Sequence, residues 1–397
     1  MNDSHLPRIA RFIDAAWIVM AVFIAIKAFA SPNRHSTYPG YKLTATGWVS
    51  CGELPSMSCH QYLPYFGDLM APFAALPDRL GAPAWALLGF GLYGIGLRRF
   101  IADHSHDAKT QSVMLIVGLL PGFGSLVNHQ ANVLVIGCWL LAAVEARCGR
   151  WWLTAFWLTL PGFKLYTLVM AGVFAVLFPR PLIGRLAITI ATILLIPFVF
   201  HSTDAVIYRL TTLWTYITQG DHYRIFPYQT LFEFWQRYVG PVEAKRFLPI
   251  QAVLGISIPV TLSIRQRLGH DQDEILRCAL FLTSLWCVSF GPSIEPHTYF
   301  LAAPAFGWAL ANALRNQSYI SIVVVSVTIA SAGSPIYSLG QPIRDFLSTN
   351  KIPFVLITCV FLTGLVNSIP LRFDSSSTTD QSPGRWLHQL CQRLFSR

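Results

Sequence analysis

Apolar residues come in long runs along nearly the whole chain, and polar residues are largely confined to the stretches between them. The runs lie at roughly 12–30, 68–97, 112–125, 131–146, 151–163, 165–178, 186–201, 249–264, 275–290, 298–314, 318–332 and 352–369. About 20 apolar residues cross a bilayer as a helix. The pattern therefore predicts an all-α, polytopic integral membrane protein with about 12 transmembrane helices. Several runs are short for the task, and need bilayer thinning or burial behind neighbouring helices. The run at 68–97 is expected to break near Pro77 and Pro83, and Pro121, Pro161 and Pro197 to kink their helices. The first run, Ile13 to Ala30, is too long for a signal-peptide core, and the SPNRH that follows offers no clear small-residue cleavage site. It reads as the first membrane helix.

Composition agrees. Only 12% of residues are charged and 53% are hydrophobic, against about 25% charged in soluble domains, which leaves too little polar surface for a water-soluble globule. The 12 Trp suit membrane–water interfaces. A net charge of +10 raises the question of nucleic acid, but the cations sort by membrane side instead. With a cytoplasmic N-terminus and strict alternation, the majority of the 29 Lys and Arg fall inside, among them Arg8, Arg98, Arg99, Arg147, Arg150, Arg180, Arg185 and Arg265. The bias is clearest in short loops, where the positive-inside rule applies. No nucleic-acid partner is expected.

One transmembrane domain then spans 1–370, with external loops at about 31–67 and 202–248, and a polar, basic cytoplasmic tail follows at 371–397. Within the second loop, RIFPYQTLFEFWQRYVG has the composition of a helix lying in the interface plane or packed on the bundle. The eight Cys contain no C-x-x-C pair, which argues against a structural zinc site. Cys51 and Cys59 share the first external loop, either as a disulfide or as two free thiols.

Ionisable and amide groups that interrupt apolar sequence are costly in lipid and are functional candidates for that reason. Lys164 in TLPGFKLYTLVM, Gln130 and Asn132 in NHQANVLVIG, Glu295 and His297 in GPSIEPHTYF, and Asp68 in YFGDLMAPF all fall at the external ends of predicted helices. Each has a bland reading: Lys164 snorkels, Gln130, Asn132 and Glu295 cap helices, His297 is a core histidine. Their coincidence on one face favours a shared cavity. A cation and a histidine suit a phosphate, and amides suit hydroxyls. No P-loop, H-E-x-x-H or G-x-S-x-G competes, and GFGLYGIG reads as small-residue helix packing.

These stretches resemble the polyprenol-phosphate-dependent mannosyltransferases of glycosyltransferase family 87. QYLPYFGDLMAPFAALPDRLGAPAWALL is similar to the family's Y-x-P, P-x-x-x-L-P and Trp-bearing helix, and places Tyr62 in the Y-x-P. HQANVLVIGCWLLAA is similar to its G-Q-x-N and apolar helix through Gln130 and Asn132. Lys164 matches the lysine after a short helix, and SFGPSIEPHTYFLAAPA is similar to S-P-x-S-W-x-H-H-Y through Pro292, Ser293, His297 and Tyr299. The likeness covers roughly 10–315. It implies a GT-C-like bundle with external loops and interfacial helices, set in the cell membrane, a bacterial inner membrane, with the active face periplasmic.

It also implies inverting transfer of mannose or a similar hexose from a polyprenyl-phosphate donor to a hydroxyl of a lipid or glycan acceptor. No cofactor or metal is needed, because Lys164 and His297 can hold the departing monophosphate. Tyr62, Gln130, Asn132 and Glu295 would contact substrate. The family's Asp early in the first external loop has no counterpart in HSTYPGYKLTATGWVSCGELP, where Glu53 is the only carboxylate. The catalytic base therefore stands among Glu53, which has the best access, then Asp68, and Glu295. Three other functions compete: a transporter or flippase of a lipid-linked anion, a catalytically inactive member, and an assembly subunit.

Overall fold

In the computed structural model the chain is described over residues 6–47, 62–105, 107–120, 123–219, 231–240, 247–291, 296–332, 346 and 350–368. Among these residues every regular element is a helix. Four helices are long and apolar enough to cross a membrane: α1 (Leu6–Ala30, its apolar span Arg8–Ala30), α4 (Asp78–His104), α10 (Pro179–Phe200) and α13 (Leu248–Arg267). Shorter apolar helices include α5 (Ala108–Leu119), α9 (Leu168–Leu177), α16 (Tyr319–Ala332) and α17 (Ile352–Ser368).

The outer faces of the long helices identify their solvent. On α1, Phe12, Ile18, Val19 and Ile26 are exposed while Ile13, Trp17, Ile24 and Ala28 are buried. A water-soluble helix turns polar residues outward, and between Asp14 and Lys27 this one is apolar on both faces, as a lipid-facing helix is. Its inner face rests on α4 through Trp17, whose ring lies 5.2 Å from Phe90 and 5.7 Å from Tyr93.

At the centre stands α7 (Asn132–Arg147), buried at every position from Asn132 to Ala146. It meets α4 across glycines. A Cβ on Gly137 would lie 2.7 Å from the backbone nitrogen of Tyr93, and one on Gly96 would lie 2.9 Å from the carbonyl oxygen of Gly137. Two helix backbones approach this closely only where one side chain is a hydrogen.

Short helices surround this frame, α2 (Tyr38–Thr46), α3 (Tyr65–Ala74), α6 (Phe123–Val127), α8 (Trp151–Thr159) and α15 (Ala303–Arg315), together with the 19-residue α14 (Gln272–Phe290). The expected break in the 68–97 run occurs at Pro77, whose φ −51° and ψ 143° leave helical geometry. Pro83 lies inside an unbroken α4, so the second expected break does not occur. One lost backbone bond is tolerated in a helix packed on neighbours. The segment expected to form the second external loop holds α11 (Thr203–Gln219), which the apolar pattern did not mark, and α12 (Leu231–Tyr238), inside the aromatic stretch that it did. Helix α11 buries Val206 and Leu213 and exposes Ile207, Tyr208 and Trp214.

Side-chain ties define the two ends of the bundle. At one end Arg98 pairs with Asp14 (2.7 Å), Arg99 with Glu145 (3.0 Å), Arg147 with Asp273 (2.8 Å), and Arg265 with Glu274 (2.6 Å). At the other, Lys27 donates to the carbonyl of Val127 (2.6 Å), Tyr38 to that of Phe73 (2.9 Å), and the amide of Leu63 to the carbonyl of Phe163 (3.1 Å). That second end is a cap of short helices and turns, and the candidate site lies within it.

Candidate functional site

Lys164 owes its position to a broken helix. After α8 the chain makes a 3-10 turn, Leu160–Phe163, with Pro161 near its start, then a second at Leu165–Thr167. Lys164 is the hinge between them, extended at φ −94° and ψ 98°. The Thr167 hydroxyl lies 2.7 Å from the carbonyl oxygens of both Pro161 and Lys164 and locks the turn. Pro161, expected to kink a helix, instead begins the turn that ends one.

From this hinge the half-buried Lys164 ammonium donates to the Asn132 side-chain oxygen at 2.8 Å. Asn132 opens the buried α7, and its side-chain nitrogen donates to the carbonyl oxygen of His297 at 3.3 Å. The Ser125 hydroxyl of α6 donates to that same carbonyl at 2.6 Å. His297 lies in a 3-10 segment, Pro296–Ala302, that precedes α15. Three residues separated widely in sequence are thus joined through two hydrogen bonds. Tyr62 completes the group, with its ring centre 5.8 Å from the Lys164 ammonium. Its ring also meets Tyr41 edge-on at 5.7 Å and lies tilted against Phe66 at 4.7 Å.

Burial and the nearby Lys164 charge push the His297 imidazole down to about 4. The ring is therefore neutral at pH 7 and offers an N–H rather than a charge. The positive charge at this point belongs to Lys164.

Gln130 sits one turn of loop away. Its side-chain oxygen accepts from the buried Tyr41 hydroxyl at 3.1 Å, and the same hydroxyl accepts from the amide of Ala131 at 3.1 Å. The loop is fixed by His129, whose φ of +56° is left-handed. That region costs a non-glycine residue about 1–2 kcal/mol. The Ser36 hydroxyl at 2.8 Å from His129 Nδ1, and Trp85 donating to the His129 carbonyl at 3.1 Å, hold it there. Burial and the Lys27 charge depress this imidazole to about 4 as well. Trp85, Gly89, Ser125, His129 and Gln130 line a small cleft of about 10 Å³, room for little more than one water.

Asp68 belongs to a second cluster. On α3, a ten-residue helix too short to cross a membrane, its Oδ1 lies 2.7 Å from His201 Nε2 at the end of α10. None of its hydrogen bonds reaches Lys164, Asn132 or His297, and its Oδ2 is buried without a hydrogen-bond partner among the described residues. Burial raises the carboxyl above its ordinary range, against the opposing pull of His201 and Arg209. Glu53, Glu295, the Cys51 and Cys59 loop, and the 371–397 tail lie outside the described residues.

Sequence reading did not pick out Ser125, Tyr41, His129, Lys27 or His201. Ser125 and Lys27 act through backbone carbonyls, and Tyr41 and His129 through partners far away in sequence, so nothing in an apolar run singles them out. His201 ends a run at 201 and carried the same signal as His297.

The geometry suits an anion. A lysine, an amide and a neutral imidazole meet at the end of the bundle, walled by Tyr62, Tyr41 and Phe66, where one carboxylate pair stands apart. The model of glycosyltransferase family 87 matches residues 60–292, more than half of the chain. The match takes in Tyr62, Asp68, Gln130, Asn132 and Lys164 and stops short of His297. No curated protein matches the chain.

Proposed function

The chain belongs to glycosyltransferase family 87, and from that premise we propose that it moves a hexose, mannose or a close relative, from a polyprenyl-phosphate donor to a hydroxyl of a lipid or glycan acceptor. The reaction runs at the outer face of the cell membrane, inverts the anomeric carbon, and needs no metal. The observation that supports this reading best is the hydrogen-bonded series from Lys164 through Asn132 to His297. It gathers one cation and a side-chain amide beside His297 at one end of the bundle, which suits a phosphate on a lipid tail. Twelve alternating crossings in a GT-C-like bundle, with the described helices as their visible part, would bring all of these groups to one leaflet.

The acceptor oxygen attacks the anomeric carbon as the bond from that carbon to the phosphate oxygen breaks. The electron pair of that bond leaves with the phosphate, which gains a negative charge. Lys164 stabilises that charge, and the His297 and Asn132 N–H groups bond the phosphate oxygens. Donors aimed at charge that develops in the transition state lower the barrier more than they tighten substrate binding. The acceptor proton passes to a carboxylate, Glu53 or Asp68. Asp68 is suited to it because its raised pKa favours taking up a proton and His201 fixes one oxygen. The absence of the family's early-loop Asp favours one rival reading, a member without catalytic activity.

Membranes carrying the chain, supplied with radiolabelled polyprenyl-phosphate mannose, should transfer label to endogenous acceptor. Lys164→Ala and His297→Ala should both lose it. Undiminished transfer by both variants would overturn the site, and no transfer by wild type with mannose or glucose donors would favour the inactive reading.

A further inference from the structure

The end of the bundle remote from Lys164 carries charge that the reaction leaves unused. From Ala146 to Thr203 the sequence has no Asp or Glu, yet it holds Arg147, Arg150, Arg180 and Arg185 besides Lys164. Arg147 is neutralised by Asp273 at 2.8 Å and Asp103 at 3.6 Å. Arg150 shares one carboxylate, Glu145, with Arg99. Arg180 and Arg185 have no carboxylate partner among the described residues.

Packing gathers these arginines. Helices α8 and α10 start side by side, because Trp151 at the start of α8 lies 5.3 Å from the Phe178 ring just before α10. The Arg185 guanidinium stacks 5.5 Å over the Trp152 ring and donates to the carbonyl of Pro181. Arg150 precedes α8 and Arg180 opens α10, so both sit at this shared start. Neither helix has an acidic residue in its first turn, where one would offset the positive end of the helix. Just beyond, Trp152, Leu153, Ile183 and Ile188 are exposed and apolar. A cationic rim with a tryptophan above an apolar wall is the profile of a headgroup boundary.

We propose that the shared start of α8 and α10 binds an anionic phospholipid of the leaflet opposite the Lys164 end. Its phosphate lies between Arg180 and Arg185, with Arg150 at the edge, and its acyl chains lie along Leu153, Ile183 and Ile188. Charge complementarity selects the occupant: Arg180 and Arg185 have no carboxylate partner among the described residues and stand at the start of an exposed apolar wall. The proposal is independent of the reaction assigned to the other end.

The test is native mass spectrometry of the purified full chain released from mixed phosphatidylglycerol and phosphatidylcholine. Two arginines at about 1 kcal/mol each predict a preference of about 30-fold for phosphatidylglycerol. Arg180→Gln with Arg185→Gln should reduce that to near parity, while Arg315→Gln should leave it unchanged. Absence of any preference in wild type, which needs no variant to fold, would overturn the proposal. So would an equal loss in R315Q, which would mean diffuse attraction rather than a site.

Discussion

Lys164 offers the sharpest perturbation. Its ammonium is half buried, 2.8 Å from the Asn132 oxygen, and close enough to His297 to depress that imidazole. Replacing it with Met keeps the length of the side chain and removes the charge. A phosphate oxygen at about 4 Å from an ammonium gains about 4 kcal/mol at an effective dielectric of about 20. Part of that gain already exists with the intact donor, and the part that grows as the phosphate leaves sets the rate. Loss of one donor aimed at developing charge typically costs about 10²–10³ in kcat. Lys164→Met should therefore lower kcat for transfer from a polyprenyl-phosphate sugar by about 10²–10³-fold. The freed Asn132 oxygen should cost about 1–3 kcal/mol of stability. Transfer is followed by scintillation counting of acceptor in proteoliposomes, with thermal unfolding in detergent as the control. A kcat within about threefold of wild type (under ~1 kcal/mol) in a folded Lys164→Met protein would refute the reasoning.

Other consequences follow from the same geometry. His297 is neutral down to about pH 4 when free, against an ordinary 6.5. A bound phosphate favours the protonated ring and raises its pKa, so donor affinity should strengthen as pH falls through the raised value towards 4. Donor KM measured against pH should show this in wild type and not in His297→Gln. Asp68→Asn retains the side-chain shape but cannot take up a proton, and should lower kcat by about 10²–10⁴-fold with donor KM unchanged. A variant that keeps its kcat would hand the base to Glu53. Gly137→Ala forces a methyl to 2.7 Å from the Tyr93 nitrogen and 2.8 Å from the Leu92 carbonyl carbon. Backbone atoms cannot turn aside, so it should cost about 1–3 kcal/mol, read as a lower unfolding temperature. Gly91→Ala, with open space around its Cβ, should not.

Much of the membrane character was legible because lipid-facing helices lack a polar face, and Lys164, Gln130 and Asn132 stood out because amides and cations are costly there. In the structure Lys164 and Asn132 are bonded, and Asn132 reaches the His297 carbonyl. Their mode of meeting was not legible. His297 joins the group through its carbonyl oxygen, and every residue has one. The turn around Lys164 depends on Thr167 bonding two carbonyls, a local choice that hydropathy does not encode. Asp68 was grouped with Lys164 because both fall at one end in sequence. On helix α3 it pairs with His201, a partner 133 positions away that the sequence does not point to. Helix α11 escaped notice because its polar face hides it from a search for apolar runs.

The central claim is that the Lys164, Asn132 and His297 group is where a lipid-linked phosphate sits. A polyprenyl phosphate carrying a photoreactive diazirine beside the phosphate, cross-linked to the purified chain and mapped by peptide mass spectrometry, tests it directly. The account predicts adducts within 123–132, 160–167 and 297–302. Adducts confined to 98–109 or 147–153, at the opposite end of the bundle, would contradict it.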